Sequence, residues 1–283
     1  MPELPEVETI RRGLSETFLG RRIRAVSVTG LRSVRRHAPV DGFSDLLAGQ
    51  VIHAADRLGK YLLLRLTGDS VVVIHLGMSG QLLAASPTEP LPKHTHVVFT
   101  FATGPVIVAD QLRFVDPRTF GELFLSRTGE LERTVPELMH LGLDPLNDRV
   151  TARQLGRLLG QRRCQIKALL TDQRLVAGIG NIYGDEILFA AGLRPDRQSH
   201  TLAAGEVRRL QRAIVGILGA AIEAGGSSLA DQQYRDLYGR TGRFQGHHRV
   251  YGREGQPCPR CRTTIARRKS GGRSTFWCPG CQR

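Results

Sequence analysis

Two cysteine pairs near the C-terminal end constrain this chain more than any other feature. Cys258-x2-Cys261 and Cys278-x2-Cys281 are separated by sixteen residues. Two such pairs supply four thiolates that can close a tetrahedral shell, the usual structural zinc arrangement. One CxxC alone could equally be a redox pair. Here both pairs sit in a polar tail of Pro, Arg and Gly, which disfavours a buried core role. Four protein ligands leave no open position for substrate. One structural Zn2+ per chain is therefore expected to fold the tail rather than to catalyse. Cys164 stands apart, within a helical pattern, and is expected to be a core or inert thiol.

Charge gives the tail a task. The chain has 283 residues with 40 Lys+Arg against 26 Asp+Glu, a formal net charge of +14. An excess of that size attracts polyanions, nucleic acid above all. It is also clustered: Pro257 to Arg283 holds seven basic residues and no acidic one. Arg267, Arg268, Lys269 and Arg273 lie between the cysteine pairs, with Phe276 and Trp277 beside them. A small zinc hairpin presenting cations reads nucleic acid. No apolar run is long enough to span a membrane, and the acidic start MPELPEVET is no signal peptide, so a cytoplasmic protein is expected.

The length suits two domains. Residues 4–18 read as an amphipathic helix, with Pro5 fitting its first position and Val7, Ile10 and Leu14 on one face. Short Val/Ile/Leu/Phe-rich stretches at 22–28, 51–56, 61–66, 71–76, 96–101, 105–109 and 121–126 predict an antiparallel sandwich or barrel. A turn-rich stretch with Pro136 and Pro145 follows and reads as a linker. Helices are expected at 151–160, with Thr151 as N-cap, then at 163–171, 181–191 and 202–224, the last stopped by Gly225–Gly226.

Eight segments carry a more specific signal in their order: MPELPEVETIRRGL at the start, GKYLLL at 59–64, HLGMSG at 75–80, KHTH at 93–96, DPRTFG at 116–121, GIGNIYGDEILFAAG at 178–192, VYGREG at 250–255 and RSTFWCPGC at 273–281. Together they resemble the bacterial formamidopyrimidine-DNA glycosylase family, from residue 2 to the last cysteine. The resemblance implies an α+β multidomain protein. An antiparallel β-sandwich with an N-terminal helix would span 1–134, a linker 135–149, a helix–two-turns–helix domain 150–238 and the zinc finger 246–283. It also implies a monomeric, nucleoid-associated base-excision enzyme. That enzyme would remove 8-oxoguanine and formamidopyrimidines from double-stranded DNA and then cut abasic sites by β- and δ-elimination. Leu4 stands where the sister branch, the endonuclease VIII type, usually has glycine.

The implied chemistry can be read residue by residue. Once Met1 is removed, Pro2 carries a free secondary amine. An α-amino group of pKa near 8 is about one-tenth neutral at pH 7, far more than an ordinary lysine. Such an amine can displace the base from C1′ and leave an iminium, an electron sink for elimination. The resemblance assigns Glu3 the general-acid role, Lys60 a proton-donor role near the sugar and phosphate, and Arg273 a phosphate contact that assists elimination. An arginine hardly deprotonates, so Arg273 reads as electrostatic. Met78, Arg118 and Phe120 match residues that fill the hole left by an extruded base. Thr119 departs from the pattern, where a second arginine is usual. His94 and Arg162 match DNA-contacting positions. Gly178-x-Gly180 follows no strand, so a dinucleotide loop is disfavoured; a helix N-terminus capped by Asn181 and holding a phosphate fits better. The lesion-recognition loop is expected within 226–246. Two competing readings stay open on sequence alone: an endonuclease VIII-type enzyme for oxidised pyrimidines, and a non-enzymatic zinc-finger binder of nucleic acid.

Overall fold

A computed structural model describes residues 1–37, 41–102, 109–148, 150–229, 234–270 and 272–283. The chain divides into two compact units, residues 1–139 with 224–243, and 140–223 with 244–283. No described helix is long and apolar enough to cross a membrane.

The first unit opens with α1 (Leu4–Phe18). Glu6 accepts from the Glu3 backbone N–H at 2.8 Å, satisfying a donor that the helix start would otherwise strand. Among the described residues eight strands follow: β1 (Ile23–Val28), then, after a short helix α2 (Asp41–Leu47), β2 (Ile52–Leu58), β3 (Tyr61–Leu66), β4 (Ser70–His75), β5 (Gln81–Ala85), β6 (Thr95–Phe101), β7 (Gln111–Val115) and β8 (Glu122–Arg127). They form two antiparallel sheets, ordered β1-β6-β7-β5 and β2-β3-β4-β8. Apolar side chains from both sheets and from α1 share one core, including Phe18, Phe99, Phe114, Leu64 and Ile74. The expected sandwich is thus observed, and the barrel is not.

The runs YLLL and VVVI do not alternate because their sheet is buried on both faces. Leu62, Leu64, Val72 and Ile74 face the main core. Leu63, Val71, Val73 and Phe124 pack instead with Val135, Leu131 and Leu138. The last two belong to single-turn helices, α3 (Leu131–Thr134) and α4 (Pro136–Met139), within the stretch expected to be turns. Strands β5 and β7 are not legible in the sequence. In β7 the alternation is masked by Arg113, which is 2 % exposed. Its guanidinium is satisfied by the carbonyls of Ser86, Glu89 and Pro90. Of the strand expected at 105–109, residues 105–108 lie outside the described residues.

The second unit contains α5 (Ala152–Gly160), α6 (Ile166–Thr171), α7 (Asn181–Ala191), α8 (Ala204–Glu223) and a hairpin of β9 (Ala266–Ser270) and β10 (Arg273–Trp277). Thr151 caps α5 as expected, accepting from Gln154 N at 3.2 Å. The expected helix at 163–171 begins only at Ile166. α7 is buried nearly all round and packs against α8, α6 and β10. Residues 225 and 226, with φ of 72° and 82°, follow α8 in a backbone conformation that glycine adopts readily.

Candidate active site and metal centre

In the first unit Met1 is exposed, and burial begins at the next residue. Pro2 is buried and Glu3 is 2 % exposed. Besides Glu3 N, the Glu6 carboxylate accepts from Ser227 N at 2.7 Å, tying α1 to the segment 224–243. A Cβ on Gly226 would lie 2.8 Å from Glu6 Oε1, so that approach requires glycine. Of the expected recognition loop, residues 230–233 lie outside the described residues.

Lys60 is 7 % exposed in the tight turn between β2 and β3. That turn is anchored to α1. Arg57 donates to Gly59 O at 2.9 Å and pairs with Glu8 at 3.2 Å. Burial opposes ionisation of Glu8, but the guanidinia of Arg11 and Arg57 hold its carboxyl below the usual range. His75, at the end of β4, feels both burial and the Lys60 charge, and its pKa falls to about 4. It stays neutral at physiological pH and accepts from Gly77 N at 3.2 Å.

Two loops beyond the strand ends present large side chains to solvent. Met78 is 41 % and Phe120 44 % exposed, unusual for such residues unless they have a partner to bury against. Arg118 is exposed and stacks over the Phe120 ring at 4.9 Å. His94 is exposed, with a φ of 66°.

In the second unit, Arg273 is exposed at the start of β10 and lines a hollow with Lys167, Asn181, Arg268 and Thr275. Arg162 is exposed just beyond α5, and Cys164 is half-buried. Gly180, not Asn181, is the N-cap of α7, which corrects the sequence expectation. Gly180 takes the extended conformation a cap requires, and Asn181 becomes the first helical residue. Its Oδ1 is buried with no hydrogen-bond partner among the described residues. The glycine loop before it is held by Gln173, whose side chain accepts from Gly178 N and donates to Ile179 O.

Three buried charges here are invisible in the sequence. Glu186 accepts from the backbone N–H groups of Arg249, Val250 and Tyr251. Lys167 Nζ pairs with Asp185 Oδ1 at 2.6 Å, while Asp185 Oδ2 accepts from Phe276 N at 2.9 Å. Burial pushes the Asp185 carboxyl up to about 7, against the pull of Lys167.

The four cysteines converge, with their sulfurs all within 4.8 Å of one another. Sulfurs about 2.3 Å from a tetrahedral zinc stand roughly 3.8 Å apart. Here Cys258 and Cys281 are 3.8 Å apart, and Cys261 and Cys278 3.4 Å. The donor set fits a structural zinc. Gly280 is needed in the second knuckle, since a Cβ there would lie 2.7 Å from Thr263 Oγ1 and 3.1 Å from Cys261 Sγ. The finger has a small apolar core of Val250, Ile265, Phe276 and Phe189 of α7.

Comparison with known proteins agrees with this architecture. Models of the formamidopyrimidine-DNA glycosylase N-terminal domain, its H2TH domain, and the zinc finger found in FPG and IleRS match residues 1–123, 141–233 and 255–283. The chain is 48 % identical over 267 residues to the formamidopyrimidine-DNA glycosylase of Moorella thermoacetica, covering 94 % of each. The crystal structure of the MutM (Fpg) protein from Thermus thermophilus superposes with a TM-score of 0.86 at 43 % identity, covering 99 % of this chain and 98 % of that one. A Lactococcus lactis Fpg crystallised with FAPY-dG-containing DNA gives 0.87 at 33 % identity, covering 99 % and 100 %. The fold and the finger define a DNA-repair glycosylase that also acts as an abasic-site lyase, in base excision repair. The chain belongs to the formamidopyrimidine-DNA glycosylase family. The non-enzymatic reading is excluded, and the endonuclease VIII-type reading gives way to the oxidised-purine branch.

Proposed function

We propose that this chain excises 8-oxoguanine and formamidopyrimidines from duplex DNA through a covalent intermediate on Pro2. It would do so as a monomer acting on nucleoid DNA in the cytoplasm. The observation that carries the reading is that Glu3 and Lys60 are both nearly excluded from solvent in the unit that also buries Pro2. Ionisable side chains held in a water-poor site are candidates for acid–base work. With Met1 removed, the Pro2 nitrogen attacks C1′ and the bond to the damaged base breaks. Glu3 protonates the opening sugar or the departing base. The resulting iminium acidifies the C2′ proton. Its loss expels the 3′ phosphate, and a second elimination expels the 5′ phosphate. Lys60 supplies a proton in the first elimination, and Arg273 stabilises phosphate charge.

In this reading residues 1–134 supply the chemistry and 135–149 link. Residues 150–238 and 246–283 grip phosphates through Asn181, Arg162 and the finger, and His94 adds a contact. Asn181 opens α7 and lines a hollow with Lys167, Arg268 and Arg273, which supports an anion at that helix start. Met78, Arg118 and Phe120 fill the space vacated by the base.

The test is the N-terminus. Retained Met1 makes the Pro2 nitrogen an amide, whose delocalised lone pair cannot attack. A protein blocked in this way should lose excision and strand cutting together while keeping duplex affinity. Borohydride should trap the native protein on DNA through Pro2. Turnover of 8-oxoguanine duplex by the blocked protein at the native rate would remove Pro2 from the mechanism, with Lys60 the next candidate.

A further inference from the structure

Asp116 is fully buried at the end of β7, and its polar atoms knit together the two loops that carry the exposed side chains. Its Oδ1 accepts from Ser79 Oγ at 2.6 Å, in the loop of Met78. The same oxygen accepts from Arg118 N at 3.2 Å, and Oδ2 accepts from Gly121 N at 2.7 Å, both in the loop of Arg118 and Phe120. Its backbone is engaged too. Asp116 N donates to His94 O at 3.0 Å, and Asp116 O lies 2.9 Å from His96 Nε2. The loops themselves touch backbone to backbone: a Cβ on Gly77 would lie 2.5 Å from Gly121 N and from the Phe120 carbonyl carbon. Arg32 and Arg35 brace the second loop from outside by donating to the carbonyls of Thr119 and Gly121. Thr119, at a φ of 52°, sits in a conformation that side-chain-bearing residues seldom adopt, so the loop is held in shape by these bonds.

We propose that Asp116 is the positioning residue that joins the two loops, so that Met78, Arg118 and Phe120 enter the DNA stack as one rigid body. The proposal rests on the reading of those three side chains as hole-fillers. A carboxylate suits the joint because it accepts at both oxygens, and the Ser79 hydroxyl and the Arg118 and Gly121 N–H groups all donate to it. An asparagine of the same shape would point an N–H2 at either Arg118 N or Gly121 N, leaving donor against donor in a dry site. Inserting a rigid body costs less ordering entropy at the moment of extrusion than inserting three independent side chains.

The experiment compares Ser79→Ala, Asp116→Asn, Phe120→Ala and the Ser79→Ala/Phe120→Ala double variant. Each is assayed in single turnover on 8-oxoguanine duplex and on a duplex with a preformed abasic site. Fluorescence of a 2-aminopurine placed beside the lesion reports unstacking. Loss of the Ser79 bond should slow excision and unstacking about fivefold to tenfold, the rate equivalent of one buried hydrogen bond. Abasic-site cleavage should change less than twofold, and the same substitution should add little once Phe120 is gone, because the joint then has less to position. Should Asp116→Asn fail to fold, Ser79→Ala still decides the matter. Equal losses on both substrates, or full additivity in the double variant, would overturn the joint. A Phe120→Ala protein that excises normally would overturn the hole-filling reading and the joint with it. Selective loss in Phe120→Ala without any in Ser79→Ala would sink the joint alone.

Discussion

Replacing Lys167 by methionine should destabilise the second unit in a way that grows with pH. Lys167 Nζ donates to Ser274 O at 3.3 Å and to Thr275 Oγ1 at 2.9 Å, and it lies 2.6 Å from Asp185 Oδ1. Methionine keeps most of the apolar stem but forfeits both hydrogen bonds, about 1 kcal/mol each. The electrostatic part follows from linkage. A carboxyl whose folded pKa exceeds its unfolded one contributes stability that is complete below the unfolded value and is lost as pH rises through the folded value. For Asp185 that window runs from its ordinary value of 3.8 to about 7. Above 7 the wild type loses nothing more, because the carboxylate is ionised in both states. Without Lys167 the folded value climbs further and the loss continues, at about 1.4 kcal/mol per pH unit. The deficit relative to wild type should therefore be about 2 kcal/mol at pH 6 and about 3 kcal/mol at pH 8. Urea unfolding followed through Trp277 measures it, since this is the chain's one tryptophan and lies on β10. His75 and His248, both depressed to about 4, contribute equally to variant and wild type and cancel in the difference. A deficit that is the same at pH 6 and pH 8, or negligible at pH 8, would refute the argument.

Chelation of zinc should unfold the finger, seen as a shift in Trp277 emission, and abolish DNA binding, while the β-sheet circular dichroism of the first unit persists. A zinc-free protein that binds duplex normally would contradict the role given to the four cysteines. Duplex affinity should fall with salt at a log–log slope of about −0.9 per neutralised phosphate, and Arg162→Ala should reduce that slope by about one such increment. An unchanged slope would remove Arg162 from the interface.

What the sequence by itself determined is what depends on short-range chemistry. α1, the Thr151 cap, the glycine stop after Glu223 and the two CxxC knuckles each involve residues within a few positions of one another, so spacing alone predicts them. The ordered motifs add the family, because so many short segments in one order seldom coincide by chance. Most strands were legible because they are short, apolar and punctuated by turns, although β5 and β7 were not; that pattern left sandwich and barrel open, and only the family resemblance favoured the sandwich.

Only the tertiary structure decided where the charges went. Arg113 looks like a surface residue in sequence, yet it is buried because carbonyls from residues 86–90 surround it. Asp185 and Glu186 lie side by side in α7. They are buried because their partners, Phe276 N and the 249–251 backbone, arrive from 63 to 91 residues away in the chain. Asp116 likewise reads as a turn aspartate, and its grip on Ser79 spans 37 residues. A buried charge is tolerable only when donors or acceptors converge on it. That convergence belongs to the folded chain, and no local pattern encodes it.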